Sequence, residues 1–159
     1  MCGRYSINKS ALLSANGLVK KNINVNLDQD NFNCSPGTKL PIIKSATNGK
    51  YLENNIWGLK ATWAKEDYKR LHNARLEGID KKITFKKLIV NSRAVVPASG
   101  YFEWAQGESG KKPYYFTRTD DQNIFFAAIH ENNEYSIITQ QATKDIIEIH
   151  NRQPVIINK

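Results

Sequence analysis

RAVVPASGYFEWAQGESGKKPYYFTRTDDQNIFFAAIHENNEYSIIT, residues 93–139, decides the fold. It contains five runs rich in β-branched and aromatic residues: Ala94 to Val96, Tyr101 to Trp104, Tyr114 to Arg118, Ile124 to Ile129 and Tyr135 to Thr139. Such side chains suit a pleated, half-buried surface, and the Gly, Pro, Asn, Asp and Ser residues between the runs break them into strands. Their tight spacing predicts a meander.

Outward from this block, strand patterns continue at Phe32 to Asn33, Leu40 to Ile43 and Tyr51 to Leu59, with Ser35-Pro36-Gly37 as a turn between the first two. A helix is expected over Ala11, Leu12, Leu13 and Leu18, capped by Ser10, weakened by Gly17 and closed by Lys20 and Lys21. Ile83 to Val90 reads as a short helix with Phe85, Leu88 and Ile89 inward and Lys82, Lys86 and Lys87 outward. Thr143 caps a last short helix through Ile149, and Pro154 to Ile157 reads as a final strand. The fold class is α+β, dominated by β-strands. No repeat or linker interrupts the chain, so residues 1–159 are expected to form one domain.

A 40% hydrophobic and 10% aromatic composition supplies a core and argues against disorder. Lys and Arg number 23 against 15 Asp and Glu, a net charge of +8, which favours a polyanionic partner by long-range attraction, the plain alternative being a merely basic soluble protein. Two cysteines, Cys2 and Cys34, give neither a disulfide framework nor a zinc signature, and they suit a reducing cytoplasm. No apolar run approaches the ~18 residues of a spanning helix, and the start lacks a secretory signal. A cytoplasmic, monomeric protein is the expectation, without membrane, metal or cofactor.

Position makes Cys2 the first chemical candidate. Removing Met1 places a free α-amine beside a thiol on one residue. With reference pKa values of about 7.7–8.0 and 8.5, both nucleophiles keep a deprotonated fraction near neutral pH. The amine condenses with an aldehyde to an imine, and the neighbouring thiol can close that imine to a five-membered thiazolidine. Taken alone, position favours reading Cys2 as an ordinary second residue packed as a small hydrophobe.

Four segments occur in order along the chain: Met1-Cys2-Gly3-Arg4-Tyr5, Asn73-Ala74-Arg75-Leu76-Glu77, Gly100-Tyr101-Phe102-Glu103-Trp104 and His150-Asn151-Arg152-Gln153-Pro154. Asn33 to Thr38, and Trp57-Gly58-Leu59 with Trp63-Ala64-Lys65, add two more. This set resembles the SRAP family, the SOS-response-associated peptidases understood as abasic-site processing proteins, from Met1 to about Ile157. Departures are Ala94 where a Cys often follows the Arg, Lys60-Ala61 without the usual Pro, and Gln153 in place of Met. Members commonly continue some tens of residues further, so the domain looks shortened at its C-terminus.

The resemblance implies a β-dominated fold of coiled antiparallel sheets with a few short helices. It also implies recognition of single-stranded DNA carrying an abasic site, covalent linkage through Cys2 that shields the lesion during the DNA-damage response, and location at the nucleoid when bound. Glu103 would move protons, His150 would assist sugar ring opening, and Asn73 would orient the deoxyribose. Arg4, Arg75 and Arg152 would meet phosphates. Trp104 would offer a stacking face and Pro36 a wedge. Trp57 and Trp63 are expected in the core, Glu77 beside Arg75, Cys34 as a buried small residue, and His72 and His130 as structural or surface residues. A weak lyase side activity is compatible with this chemistry. Two other readings stay open: a Cys2-dependent peptidase acting on its own N-terminus, and a non-covalent single-strand binder.

Overall fold

The computed structural model describes residues 2–65, 69–108 and 110–157. Its strands are β1 (Arg4–Ile7), β2 (Lys21–Ile23), β3 (Asn31–Cys34), β4 (Lys39–Ala46), β5 (Gly49–Trp57), β6 (Asn73–Arg75), β7 (Arg93–Ala98), β8 (Gly100–Gly107), β9 (Gly110–Phe116), β10 (Ile124–Glu131), β11 (Glu134–Gln141) and β12 (Arg152–Pro154). Helices α1 (Lys9–Asn16) and α2 (Leu88–Asn91) complete the elements. The β-dominated class read from the sequence is what the chain adopts.

One sheet has the order β3-β1-β8-β9, and the other runs β12-β11-β10-β7-β4-β5-β2. The larger sheet closes on itself. Glu134 and Tyr135 of β11 pair in parallel with Ile56 and Trp57 of β5, so β11, β10, β7, β4 and β5 form a ring of pairings, a small barrel. Closure removes the open edges that a five-stranded sheet would otherwise present. The expected meander is not what forms: β7 pairs directly with β10, while the β8–β9 hairpin leaves for the smaller sheet. Alternation along a strand specifies which face is buried and leaves the partner to tertiary packing. Parallel pairings of β2 with β5 and of β6 with β11 also depart from an all-antiparallel expectation.

Both sheets contribute to one apolar cluster that joins Cys2, Tyr5, Cys34 and Tyr101 to Leu52, Trp57, Phe126 and Tyr135. Trp57 stacks on Tyr135 with centroids 6.5 Å apart, and the Tyr5 hydroxyl lies 3.1 Å from that of Tyr135. Each hydroxyl thereby gains the partner that burial demands. Trp57 is in the core as expected, but Trp63 is 58% exposed, because the turn that carries it lies outside both apolar clusters.

The helices are shorter or shifted relative to the sequence reading. Asn8, not Ser10, caps α1, its side chain accepting from the Ala11 amide at 2.9 Å, and Gly17 ends the helix as its C-cap. Lys20 lies past that cap and Lys21 opens β2. Residues 83–87 are turns and only Leu88–Asn91 is helical; Phe85 and Leu88 are buried as anchors, while Ile83 and Val90 stay exposed and no side chain caps the start. Residues 144–149 are turns too, because the Thr143 hydroxyl donates to Gln153 Oε1 instead of capping a helix. β12 comprises Arg152–Pro154, and Ile156 forms an isolated bridge with Phe126.

Gly100 explains how the smaller sheet fits together. A Cβ there would stand 2.4 Å from the Tyr115 ring and 2.7 Å from the Phe116 carbonyl oxygen. The absent side chain lets Tyr115 fold over β8 and bring its hydroxyl within 2.6 Å of Ser6 Oγ. Gly100→Ala is therefore expected to lower stability by about 1–3 kcal/mol through overpacking against backbone. Thermal or urea unfolding checks this, and an unchanged midpoint would show that the hairpin yields freely.

Candidate active site

Strand register brings the nucleophile candidate to the carboxylate. Arg4 and Tyr5 of β1 face Phe102 and Tyr101 of β8, so the chain start runs along the strand that carries Glu103. Tyr101 and Glu103, two residues apart, share the buried face, while Phe102 and Trp104 share the other, their rings 6.4 Å apart. Cys2 is fully buried and Glu103 is 2% exposed. Burial above all, and the Glu103 charge next, push the Cys2 thiol well above the ordinary cysteine range. Burial likewise raises the Glu103 carboxyl, opposed by the positive charge of the amino terminus.

Parallel pairing with β11 holds β6 so that Ala74 is buried and Asn73 and Arg75 point to the opposite face. Asn73 Nδ2 donates to the Cys2 carbonyl at 2.8 Å, which ties the chain start to the barrel. His150 follows the turns after β11. Its Nδ1 accepts from the Arg152 amide at 2.9 Å, which assigns the ring proton to Nε2 in the neutral form. Burial, with the amino terminus adding to it, lowers the His150 pKa and favours that neutral form.

Two cavities flank this centre. One of about 420 Å³ is lined by Glu103, Trp104, Lys111 and His150. The other, of about 410 Å³, is lined by Asn73, Arg75, Lys82 and Thr84 among others. Cys2 is linked to both walls, through its carbonyl to Asn73 and through its thiol to the field of Glu103. A sugar fits in either space, and the cations at their rims favour an anionic chain across them.

The structure thus brings Cys2, Asn73, Glu103 and His150 to one centre, with Trp104 and Arg75 on its walls. Arg4 opens β1, an inner strand of the smaller sheet, and donates to Asn33 Oδ1 at 2.8 Å. Pro36 is exposed at the first corner of a turn whose second corner is Gly37 at φ +88°, a conformation that glycine adopts freely. Arg152 is engaged from two directions. It makes a bidentate pair with Glu77, both bonds 2.9 Å, and donates to the Thr139 carbonyl at 2.6 Å. That pairing holds the Glu77 carboxyl down at about 2. Glu77 therefore serves Arg152 and not Arg75, because β6 and β12 flank the same strand, β11.

Lys111 was not singled out in the sequence, and Lys82 was read there only as an outward-facing lysine beside the expected helix. Only the β8–β9 register and the turn before α2 place them on the cavity walls. Cys34 is the buried small residue expected, its thiol pushed up to about 12 by burial. His72 accepts the Trp57 indole N–H on its carbonyl at 2.8 Å, and His130 lies half-buried near Lys44 and Glu53, away from this centre. Among the described residues no group of three His, Cys, Asp or Glu side chains is placed to hold a metal ion. No helix among them is long and apolar enough to cross a membrane.

The chain is matched over residues 1–159 by a family model, that of the SOS response associated peptidases (SRAP), and belongs to this family. Abasic site processing protein YedK of Escherichia coli strain K12 is 30% identical over 172 residues, covering 99% of this chain and 76% of that protein. Abasic site processing protein HMCES of Gallus gallus is 27% identical over 169 residues, covering 80% of this chain and 50% of its own length. A crystal structure of a protein from Bacteroides thetaiotaomicron is similar with a TM-score of 0.84 at 25% identity, covering 99% of this chain and 78% of that one.

Proposed function

We propose that this protein binds single-stranded DNA at an abasic site and joins its N-terminal Cys2 to the lesion as a thiazolidine, shielding the strand from cleavage. The carrying observation is the burial of Cys2 between Asn73 and Glu103 with sugar-sized cavities beside it, in a chain whose relatives are named abasic site processing proteins.

An abasic deoxyribose is mostly a closed hemiacetal. The neutral His150 ring, with its proton on Nε2, is suited to donate to the sugar oxygen as that ring opens. The α-amine released by loss of Met1 then adds to the aldehyde carbon. Glu103, whose carboxyl pKa burial raises, passes a proton to the departing hydroxyl as water is lost. The Cys2 sulfur attacks the resulting imine carbon, closing the ring. Asn73 holds the chain start and the sugar in register, Arg75 and Arg4 meet phosphates, Trp104 stacks on a base, and Pro36 wedges at the exposed turn. Arg152, already held by Glu77, would offer phosphate only the donors which that pair leaves. The same imine can lose the 3′ phosphate by β-elimination, which accounts for a weak lyase activity.

Peptidase chemistry fits less well. A cysteine peptidase activates its thiol by lowering its pKa, whereas burial and the neighbouring Glu103 carboxylate raise that of Cys2. An imine route starts from the amine and needs the thiol only afterwards.

Incubation with a single-stranded oligonucleotide carrying one abasic site should yield a slower band on denaturing electrophoresis. An intact strand and a tetrahydrofuran analogue lacking the aldehyde should yield none. Equal bands with the analogue would overturn the proposal. Arg75→Ala is expected to weaken binding to all sequences and to lower the salt slope by roughly 0.7–1 unit, one released counterion per phosphate contact. Titration at several salt concentrations measures this, and an unchanged slope would remove Arg75 from the backbone contacts.

A further inference from the structure

Tyr101 carries a polar atom that nothing in the described structure satisfies. The residue is 1% exposed, and its hydroxyl has no hydrogen-bond partner among the described residues. Leaving a buried hydroxyl unpaired costs about 1–3 kcal/mol, and phenylalanine would fill the same space without that cost. The ring is fixed on both sides, stacked on Phe116 at 5.1 Å and edge-on to Phe126 at 6.0 Å. The two other core tyrosines on this side, Tyr5 and Tyr135, satisfy each other. Tyr101 alone among them presents an unused O–H.

Its place in the fold gives that O–H a target. Tyr101 lies two residues from Glu103 on the same buried face and opposite Tyr5, on the strand that begins two residues after Cys2. Burial, then the charge of Cys2 and then that of Glu103, raise its pKa, so the phenol stays neutral and remains a donor. In the buried cluster that holds Cys2, then, a fixed neutral donor accompanies a thiol that burial and a carboxylate keep from ionising.

We propose that the Tyr101 hydroxyl donates to the Cys2 sulfur during thiazolidine closure, making Tyr101 a catalytic residue of that step; the assignment rests on the function proposed above. Closure transfers the S–H proton to the Glu103 carboxylate as the C–S bond forms. The π pair of the C=N bond moves to nitrogen, which takes the proton back from Glu103. The step is an isomerisation, with no leaving group, oxidant or reductant. Sulfur carries negative charge partway through it, in a place where burial and Glu103 oppose that charge. A phenol donor offsets this penalty by a charge-assisted hydrogen bond.

The test uses the full chain after Met1 removal, as wild type and as Tyr101→Phe, on the same abasic oligonucleotide. Product trapped by borohydride reports the imine, and product formed without borohydride and stable to denaturation reports the closed ring. Tyr101→Phe is expected to form imine at the wild-type rate and to close the ring roughly ten- to a hundredfold more slowly, the worth of one hydrogen bond to a charged group. Its melting temperature should equal or exceed that of wild type, since the ring keeps its packing. Phe126→Leu, which loosens the same cluster and keeps the hydroxyl, should slow both products together. Ring closure by Tyr101→Phe at the wild-type rate would overturn the assignment while leaving the function standing. A destabilised or unfolded Tyr101→Phe chain would also overturn it, by assigning the hydroxyl to the core. A wild-type chain that forms neither product would overturn the function and this step together.

Discussion

Replacing Cys2 by Ala in protein freed of Met1 is expected to abolish nearly all crosslink that survives denaturation, a loss of roughly 10²-fold or more, while leaving a clear product when borohydride is present. The variant keeps its α-amine and can still form the imine. It lacks the sulfur whose closeness makes ring closure intramolecular, and effective molarities for such closures are very large. Protein that retains Met1 should give neither Cys2-dependent product, because an acylated nitrogen cannot condense to an imine. The check is denaturing electrophoresis of all three proteins with and without borohydride. A stable, unreduced crosslink formed equally well by Cys2→Ala would remove the thiazolidine from the mechanism.

Glu103→Gln should slow crosslinking by about 10²–10⁴-fold, the usual worth of a positioned general acid–base, while binding to the abasic strand largely survives. Stability should move the other way. Burial raises the Glu103 pKa above the unfolded value of about 4.3, so the native state holds a proton that the unfolded chain has already lost. Stability from this group is therefore present below the unfolded pKa and is lost as pH rises through the folded one. Above the unfolded pKa the wild type bears a folding cost, from the raised carboxyl, that glutamine does not have. Glu103→Gln should melt at an equal or higher temperature at pH 7, with the difference shrinking on acidification. Crosslinking at the parent rate, or a melting difference that grows toward low pH, would contradict this role.

Much of the strand content was legible because barrel strands alternate or bury both faces. Leu40 to Ile43, Ile124 to Ile129 and Tyr135 to Thr139 all lie within strands of the ring. Partnership was not legible. Nothing local in Ile56-Trp57 or Glu134-Tyr135 announces the parallel pair that closes the barrel, and the short run Gly100 to Trp104 does not announce that it pairs with the chain start. The short helices failed for a similar reason. The Thr143 hydroxyl has a cap's chemistry, but Gln153, far enough along to be invisible locally, takes it.

Within the site, Cys2 was legible from its position at the chain start, whereas Asn73, Glu103 and His150 were legible only through the resemblance of their motifs to the SRAP family. Tyr101, Lys82 and Lys111 are ordinary types whose meaning comes from position. The Arg152–Glu77 pair illustrates the limit. Charge complementarity suggested a partner for Glu77, but Arg75, nearer in sequence, points to a cavity wall while Arg152 arrives from β12. Trp63 shows the converse: a large aromatic suggests core, yet its turn packs in neither apolar cluster.

The most direct test of the central claim is the intact mass of the product formed with an abasic single-stranded oligonucleotide. The account predicts the sum of Met1-free protein and oligonucleotide less one water, unchanged by later borohydride, because a thiazolidine has no C=N bond to reduce. A product that gains two hydrogens on reduction, or one whose mass shows Met1 still attached, would contradict linkage through both nucleophiles of Cys2.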